Sequence, residues 1–139
     1  MDEPILNPMG NLAQRGMIAG DEREVFLALP GGLVRLRDGK ADLLYEGECS
    51  HLNLREETLC FLDNRTRIIE MDREGGGLAL LAERTGTRYD EISHMVVQGN
   101  RLYYSVYWGG SVCCIDLESH EERFLLHATC LSLAVDDTH

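Results

Sequence analysis

Apolar residues along this chain come in short runs, cut every few positions by glycine, asparagine or acidic residues, and the runs recur in a fixed order. Three segments superpose without a gap: 17–26, 52–61 and 95–104. Each reads apolar-x-apolar, a polar turn, then an apolar or aromatic stretch ending at Phe26, Phe61 or Tyr104. A second half follows each of them. Leu33-Val-Arg-Leu-Arg37, Ile68-Ile-Glu-Met-Asp72 and Val112-Cys-Cys-Ile-Asp116 lead through a polar turn to Leu43-Leu44, Leu80-Leu81 and Leu125-Leu126. The leading residues Met17, Leu52 and Met95 stand 35 and 43 positions apart, and a fourth unit opens at Leu133, 38 positions after Met95. Repetition at such a period means one supersecondary unit stacked on copies of itself.

Each unit holds four short apolar stretches divided by turn residues, which predicts a four-stranded antiparallel meander. Gly31-Gly32, Asp38-Gly39, Gly75-Gly76-Gly77, Gly99-Asn100 and Gly109-Gly110 offer the left-handed backbone positions that tight hairpins use. No stripe of 3.6-residue period survives these glycines, so almost no helix is expected. Alternation is plain at Leu52-Asn53-Leu54, whereas Leu102 to Trp108 is nearly continuous, as in a strand covered on both faces. The expected fold is all-β, made of propeller-type repeats: about three blades plus the first strand of a fourth, a half-ring that dimerisation would close. The boundaries expected are a lead-in over 1–15 and a repeat domain over 16–139, with units at about 16–48, 49–84 and 92–128 and a partial one at 131–139.

The third unit reads apolar-x-Val-x-Gly-Asn-x-Leu-Tyr-Tyr from Met95 to Tyr104, followed by Gly109-Gly110 and a strand ending in Ile115-Asp116. It resembles the bacterial propellers of unknown function that are similar to the six-bladed YWTD propeller of low-density-lipoprotein-receptor-related proteins. Met9-Gly-Asn-Leu-Ala-Gln-Arg-Gly16 looks like the lead-in of that family, so the resemblance runs from Gly10 onward. The other units depart from the pattern. Val25-Phe26-Leu27 and Cys60-Phe61-Leu62 stand in place of the tyrosine pair, and Glu56-Glu57 replaces the Gly-Asn turn in the second unit. The resemblance implies a six-bladed ring about twice this length, and it brings no established activity or catalytic residue with it.

Composition narrows the function classes. Of 139 residues, 44% are hydrophobic and 27% charged, the balance of a globular chain with a core to bury. Thirteen Lys and Arg against twenty-four Asp and Glu give a formal charge of -11, which repels nucleic acid and anionic membrane surfaces. The opening Met1-Asp-Glu-Pro-Ile-Leu has neither the basic start nor the apolar run of a signal peptide or membrane span, so a cytoplasmic location is expected. Cys49, Cys60, Cys113, Cys114 and Cys130 are odd in number, lack CxxC spacing and sit mostly in apolar runs. Free thiols in a reducing compartment are expected.

His51 and His94 occupy the same repeat position, at the start of the strand that in propellers lines the central channel. Two imidazoles on adjacent blades can ligate a metal or serve as polar caps on strand ends; Gly16 and Ser132 take the equivalent places, so no further ligand of that kind repeats. No metal or cofactor is expected. Cys113 and Cys114 are adjacent in a strand and must point to opposite faces, which suits core packing. Gly-x-Ser-x-Gly is missing around Ser105, Ser111 and Ser132, and Glu74-Gly-Gly-Gly77 lies between strands with no Lys-Ser/Thr, so it reads as a hairpin. Tyr103, Tyr104, Tyr107 and Trp108 form the one aromatic cluster. Tyr104 matches Phe26 and Phe61 as filling between blades, while Tyr107 and Trp108, beside Gly109-Gly110, are candidates for ligand contact.

No catalytic constellation emerges. The function expected is a non-enzymatic propeller module that binds or scaffolds, with a protein, peptide or carbohydrate ligand, no nucleic acid and no membrane, through His51, His94, Tyr107 and Trp108. Its alternative is a propeller lyase or hydrolase with a site in the central channel near His51 and His94. A homodimer of two half-rings is the expected assembly.

Overall fold

The computed structural model describes residues 17–84, 91–106 and 111–127. The expected lead-in, Tyr107, Trp108, Cys130 and the partial fourth unit lie outside them. Within these bounds the chain forms β-strands joined by turns, with no helix. The first blade comprises β1 (Ile18–Gly20), β2 (Val25–Leu29), β3 (Gly32–Arg37) and β4 (Lys40–Glu46). The second comprises β5 (Cys49–Leu54), β6 (Thr58–Asp63), β7 (Arg67–Asp72) and β8 (Ala79–Glu83), and the third β9 (Ile92–Gln98), β10 (Arg101–Val106), β11 (Ser111–Asp116) and β12 (Glu122–His127). Each blade is a separate antiparallel sheet with its strands in sequence order, and none closes on itself. Three propeller-type blades are therefore present, as the repeat pattern predicts.

Turn chemistry sets the hairpins. Asp38 and Gly39 both have positive φ, at 52° and 74°, the backbone of the two-residue turn that matches strand twist between β3 and β4. At the longer connections an aspartate closes the loop with its own side chain. Asp72 Oδ1 accepts the Glu74 and Gly76 N–H groups at 2.9 and 2.8 Å, and Asp116 Oδ1 accepts those of Glu118 and Ser119 at 2.8 and 3.0 Å.

Innermost β5 lies beside β1 and β2 on one side and beside β9 on the other, which stacks the blades in order. Two apolar cores form between them. Phe26, Leu33, Leu59, Phe61 and Met71 fill the space between the first and second blades; Leu62, Ile68, Leu102, Tyr104 and Ile115 fill that between the second and third. Cys113 belongs to this second core, whereas Cys114 packs with Val96 and Tyr103 on the far face of the third blade, as strand geometry requires.

The gapless superposition holds between the second and third units and slips by one residue in the first. Phe61 and Tyr104 both face the preceding blade, but Phe26 faces the following one, so that Phe26 and Phe61 meet in one core from opposite sides. The hairpin pairs Gly20–Val25 and Leu54–Leu59 correspond, which makes Leu27 the counterpart of Phe61. A one-residue slip turns every side chain to the other face. Sequence could not fix this register because Val25-Phe-Leu is apolar at every position and β5 is buried at every position, leaving no alternation to read. The outward flank of the first blade carries Val25, Leu27, Val34, Leu36 and Leu43, half-buried or exposed, with Leu27, Val34 and Leu43 aligned across the strands.

Candidate functional site

Of the residues singled out in the sequence, the structure brings His51 and His94 together. Their rings meet edge to face with centroids 5.7 Å apart. Because β5 and β9 are neighbours, the rings touch directly instead of facing one another across a channel. His51 sits in a bulge between Ser50 and Asn53, with a φ of 53° that β-strands do not otherwise use. Asn53 holds that bulge: its amide donates to the His51 carbonyl at 3.0 Å and its oxygen accepts the Val97 N–H at 3.1 Å, stitching β5 to β9. His51 Nδ1 lies 3.1 Å from Ser50 Oγ, while His94 Nδ1 is buried without a hydrogen-bond partner among the described residues. Burial first, and the Arg65 charge second, hold the His94 imidazole below its usual pKa of 6.5, so it is neutral at pH 7.

Ser105, the cross-strand partner of His94, shares a 2.7 Å hydrogen bond with the Ser93 hydroxyl. Among the described residues no three His, Cys, Asp or Glu side chains gather as a metal site would require. A hollow of about 210 Å³ beside Ser50 is walled by Glu48, Cys49, Arg65 and Glu91, without either histidine. Cys49, Cys60, Cys113 and Cys114 are free and buried; burial pushes the Cys49 thiol up to about 12, far from the range of a reactive thiolate.

A second polar centre, which the sequence reading missed, lies at the turn end between the first and second blades. Arg73 leaves the end of β7 and reaches back into the first blade. Its guanidinium donates to Asp21 Oδ2 at 2.7 Å and to the Glu56 and Arg55 carbonyls at 2.8 and 3.0 Å. Arg35, from the middle of β3, donates to the Arg73 carbonyl at 3.0 Å and pairs with Glu74 at 2.7 Å and Asp42 at 3.1 Å. Glu24 stands between the two arginines. Its carboxylate is 3.9 Å from Arg35 Nη1 and 3.5 Å from Arg73 Nη1.

The side chains of Arg35, Arg73 and Glu24 are 6, 6 and 4% exposed, so these three charges are interior, while their partners Asp42 and Glu74 reach solvent. Burial works to raise the Asp21 carboxyl, but hydrogen bonds from Arg73 and from the Arg23 and Glu24 N–H groups outweigh it and hold Asp21 below its usual value. A cleft of about 640 Å³ opens over this cluster, with Glu22, Asp38, Glu57 and Asp72 among its walls. Alternation of Val34 and Leu36 with Arg35 and Arg37 hid this cluster in the sequence, because that pattern reads as arginines turned to solvent. Arg35 shares the core-facing side of β3 with fully buried Leu33, and a charge on that side has to meet a partner from the next blade.

No family model matches the chain, and no curated protein matches it. Among solved structures it is similar to the N-terminal domain of Nup159, with a TM-score of 0.60 and 10% identity over 76% of this chain and 31% of that one. It is also similar to the computationally designed Ika8 protein, with a TM-score of 0.59 and 14% identity over 87% and 38% of the two chains. A chain in the complex of S. cerevisiae Dbp5 bound to Nup159, Gle1, IP6 and ADP matches at 0.56 and 13% identity, over 77 and 28%. This chain spans about a third of the length of those it resembles. At such identities the likeness defines the fold: a set of propeller-type blades.

Proposed function

We propose that this chain is a non-enzymatic, propeller-type binding or scaffolding module whose partner is a protein or peptide, working in the cytoplasm and related to the YWTD-like propellers. The observation that carries this reading is the cleft at the turn end of the first two blades. Its walls are charged, and the side chains beneath are locked by ion pairs from both blades, so a recognition surface stands preformed on rigid sheets. Nup159, a protein of similar fold, is bound by Dbp5 in one of the structures above, which is the use proposed here. The buried thiols suit a reducing compartment.

A thermal-shift screen of the purified protein against peptides, sugars and metal ions, with metal analysis of the same sample, tests this. Saturable stabilisation by a peptide without metal supports it. Stabilisation by metal alone, or turnover of a substrate abolished by His51→Ala and His94→Ala, would favour an enzyme in the channel region instead.

The homodimer is proposed on a separate observation, the open flank of the first blade. In the second blade the same face, with Phe61 and Met71, is covered by its neighbour; in the first, Leu36 and Leu43 are 40 and 57% exposed. The third blade of a second copy would cover that flank as blades cover one another within the chain. Light scattering coupled to size exclusion decides: a mass near twice 15.6 kDa supports the shared ring, and a stable monomer at micromolar concentration overturns it.

A further inference from the structure

The face of the third blade turned away from the second is buried at its inner strands, although the blades stack in order and none of the described ones follows the third. Val96, Tyr103 and Cys114 lie there 2, 8 and 8% exposed, in a cluster that holds no residue of the other two blades. Strand register gives their counterparts. The hairpin pairs Gly20–Val25 and Val97–Leu102 correspond, so Val96 and Tyr103 stand where the first blade has Ala19 and Phe26, and Cys114 where it has Arg35. Ala19 and Phe26 are fully buried because β5, the innermost strand of the next blade, lies against β1 and β2 and sets Leu52 and Leu54 in their core. Burial of Val96 and Tyr103 therefore calls for a strand in the same place.

The cover is one strand wide. Register shifts at the same place in the three outer hairpins make Leu44, Leu81 and Leu125 counterparts. Leu44 and Leu81 pack against the cores beneath the following blade, while Leu125 is 47% exposed. The inner half of the face is closed and the outer half is bare, as one strand leaves it and a whole blade does not.

The sequence supplies such a strand after β12. Ser111 pairs with His127 as Gly32 pairs with Glu46. Counted on from that pair without a gap, Ala128-Thr129 match the passage Gly47-Glu48, and Cys130, Leu133 and Val135 match Cys49, Leu52 and Leu54, the β5 residues that face the first blade. Other segments have other places in the chain order: 85–90 lead from the second blade into β9, 107–110 join β10 to β11 at one end of the sheet, and 1–16 lead into the first blade.

We propose that residues 131–135 lie as a single strand over Val96, Tyr103 and Cys114, in the place that β1 of a second copy would take, and so act as a strap that the homodimer must displace. This rests on the homodimer reading and gives its regulation. Ring closure exchanges a contact within the chain for one between chains, and the apparent affinity is reduced to the fraction of chains whose strap is away.

Cys114 reports the strap directly. Alkylation of the native 139-residue chain by iodoacetamide in dilute solution, followed thiol by thiol by mass spectrometry, should find Cys114 as protected as Cys60 and Cys113 in the second core. Leu133→Asp with Val135→Asp should speed the reaction of Cys114 more than about tenfold and leave Cys60 and Cys113 protected, which also shows that the blades stay folded. Leu133→Ala with Val135→Ala should do the same to a smaller degree. Ala134→Asp, on the opposite side of the strand, should leave Cys114 protected. In sedimentation over a range of concentrations the aspartate pair should dimerise about tenfold more tightly than the parent. Cys114 protection unchanged by the pair, or lost instead with Trp108→Ala, would overturn the proposal, and so would a freed Cys114 with a dimer no tighter than the parent's. Absence of any dimer in parent and variant alike, with Cys114 freed as expected, would support the strand in its seat and overturn the homodimer reading alone.

Discussion

The same packing problem is solved twice in this molecule, once between the first and second blades and once between the second and third, and the solutions differ at one end. Both interfaces have an apolar middle anchored by a fully buried aromatic ring, Phe61 in one and Tyr104 in the other. At the turn end the second interface buries Leu117 and leaves its charges near solvent: Arg55 pairs with Glu70 at 3.4 Å and donates to Asn100 at 2.6 Å. The first interface instead encloses Arg35, Arg73, Glu24 and Asp21. Arg35 and Glu70 hold corresponding positions on β3 and β7, opposite the counterparts Phe26 and Cys60, so the charge at this place is reversed from one interface to the next. Sheet-on-sheet packing thus fixes the shape and leaves the chemistry of the turn end open to other demands.

The largest effects should come from what the interfaces share. Phe61→Ala and Tyr104→Ala each remove a buried ring and should cost about 3–5 kcal/mol by urea unfolding. Tyr104→Phe keeps the ring and loses only the hydroxyl that donates to Glu122 at 2.7 Å, for about 1 kcal/mol. If Phe61→Ala were mild, the first interface would be held by its charges, reversing the comparison.

Next in size is the difference itself. Arg73→Leu copies the third blade but leaves Asp21 and Glu24 only the longer approaches of Arg23 at 3.6 Å and Arg35 at 3.9 Å, which should cost about 3 kcal/mol. Adding Asp21→Asn and Glu24→Leu should recover most of the loss, a non-additivity expected of one network. Arg55→Leu, at a pair whose side chains are 25 and 14% exposed, should cost less, about 1 kcal/mol. The Arg73→Leu deficit should also shrink in acid. Asp21 titrates lower in the folded chain than its ordinary 3.8, so its stabilising share is present above that pH and lost as pH falls through the lower folded value. A deficit that stays constant down to pH 3 would show that Arg73 acts through packing.

How far this was legible in the sequence follows from what each feature depends on. Turn residues and apolar runs are local, so the blades, their strand order and the split of Cys113 and Cys114 to opposite faces could be read directly. The equivalence of His51 and His94 was legible as spacing, but their direct contact depends on a bulge in β5 that no spacing reveals. Register in the first unit was lost where Val25-Phe26-Leu27 gave no alternation. The ionic cluster was invisible because Arg73 and Arg35 are 38 positions apart and each alone looks like an ordinary surface charge.

A smaller effect should follow at Gly47, where the first blade passes to the second. Its φ of 154° is rare for L side chains, and an added Cβ would lie 2.7 Å from Asp63 Oδ1. Asp63 there accepts the Tyr45 hydroxyl at 2.7 Å and pairs with Arg67. Gly47→Ala should cost about 1–3 kcal/mol, whereas Gly39→Ala, at a positive φ with open space around it, should cost about 1 kcal/mol. Equal losses would mean that Asp63 can move aside freely.

The smallest effect should be a pH dependence confined to the second and third blades, where His51 and His94 meet. In the unfolded chain His94 takes up its proton around 6.5; in the folded one burial and the Arg65 charge resist it. Between these values the unfolded state binds more protons, so stability from the neutral ring is complete above pH 6.5 and is lost as pH falls toward the lower folded value. His94→Gln should therefore flatten the stability curve between pH 8 and 5 by less than one proton's slope, and Arg65→Gln should flatten it in part by letting the folded pKa rise. Neither change should touch the acid loss below pH 4, which belongs to Asp21 and the first interface. The two interfaces would then fail at separate pH values, one set by an imidazole and the other by carboxylates. Parallel curves for the parent chain and His94→Gln from pH 8 to 5 would show that His94 takes up its proton equally well in the folded chain, and the ring pair would lose its place in the comparison.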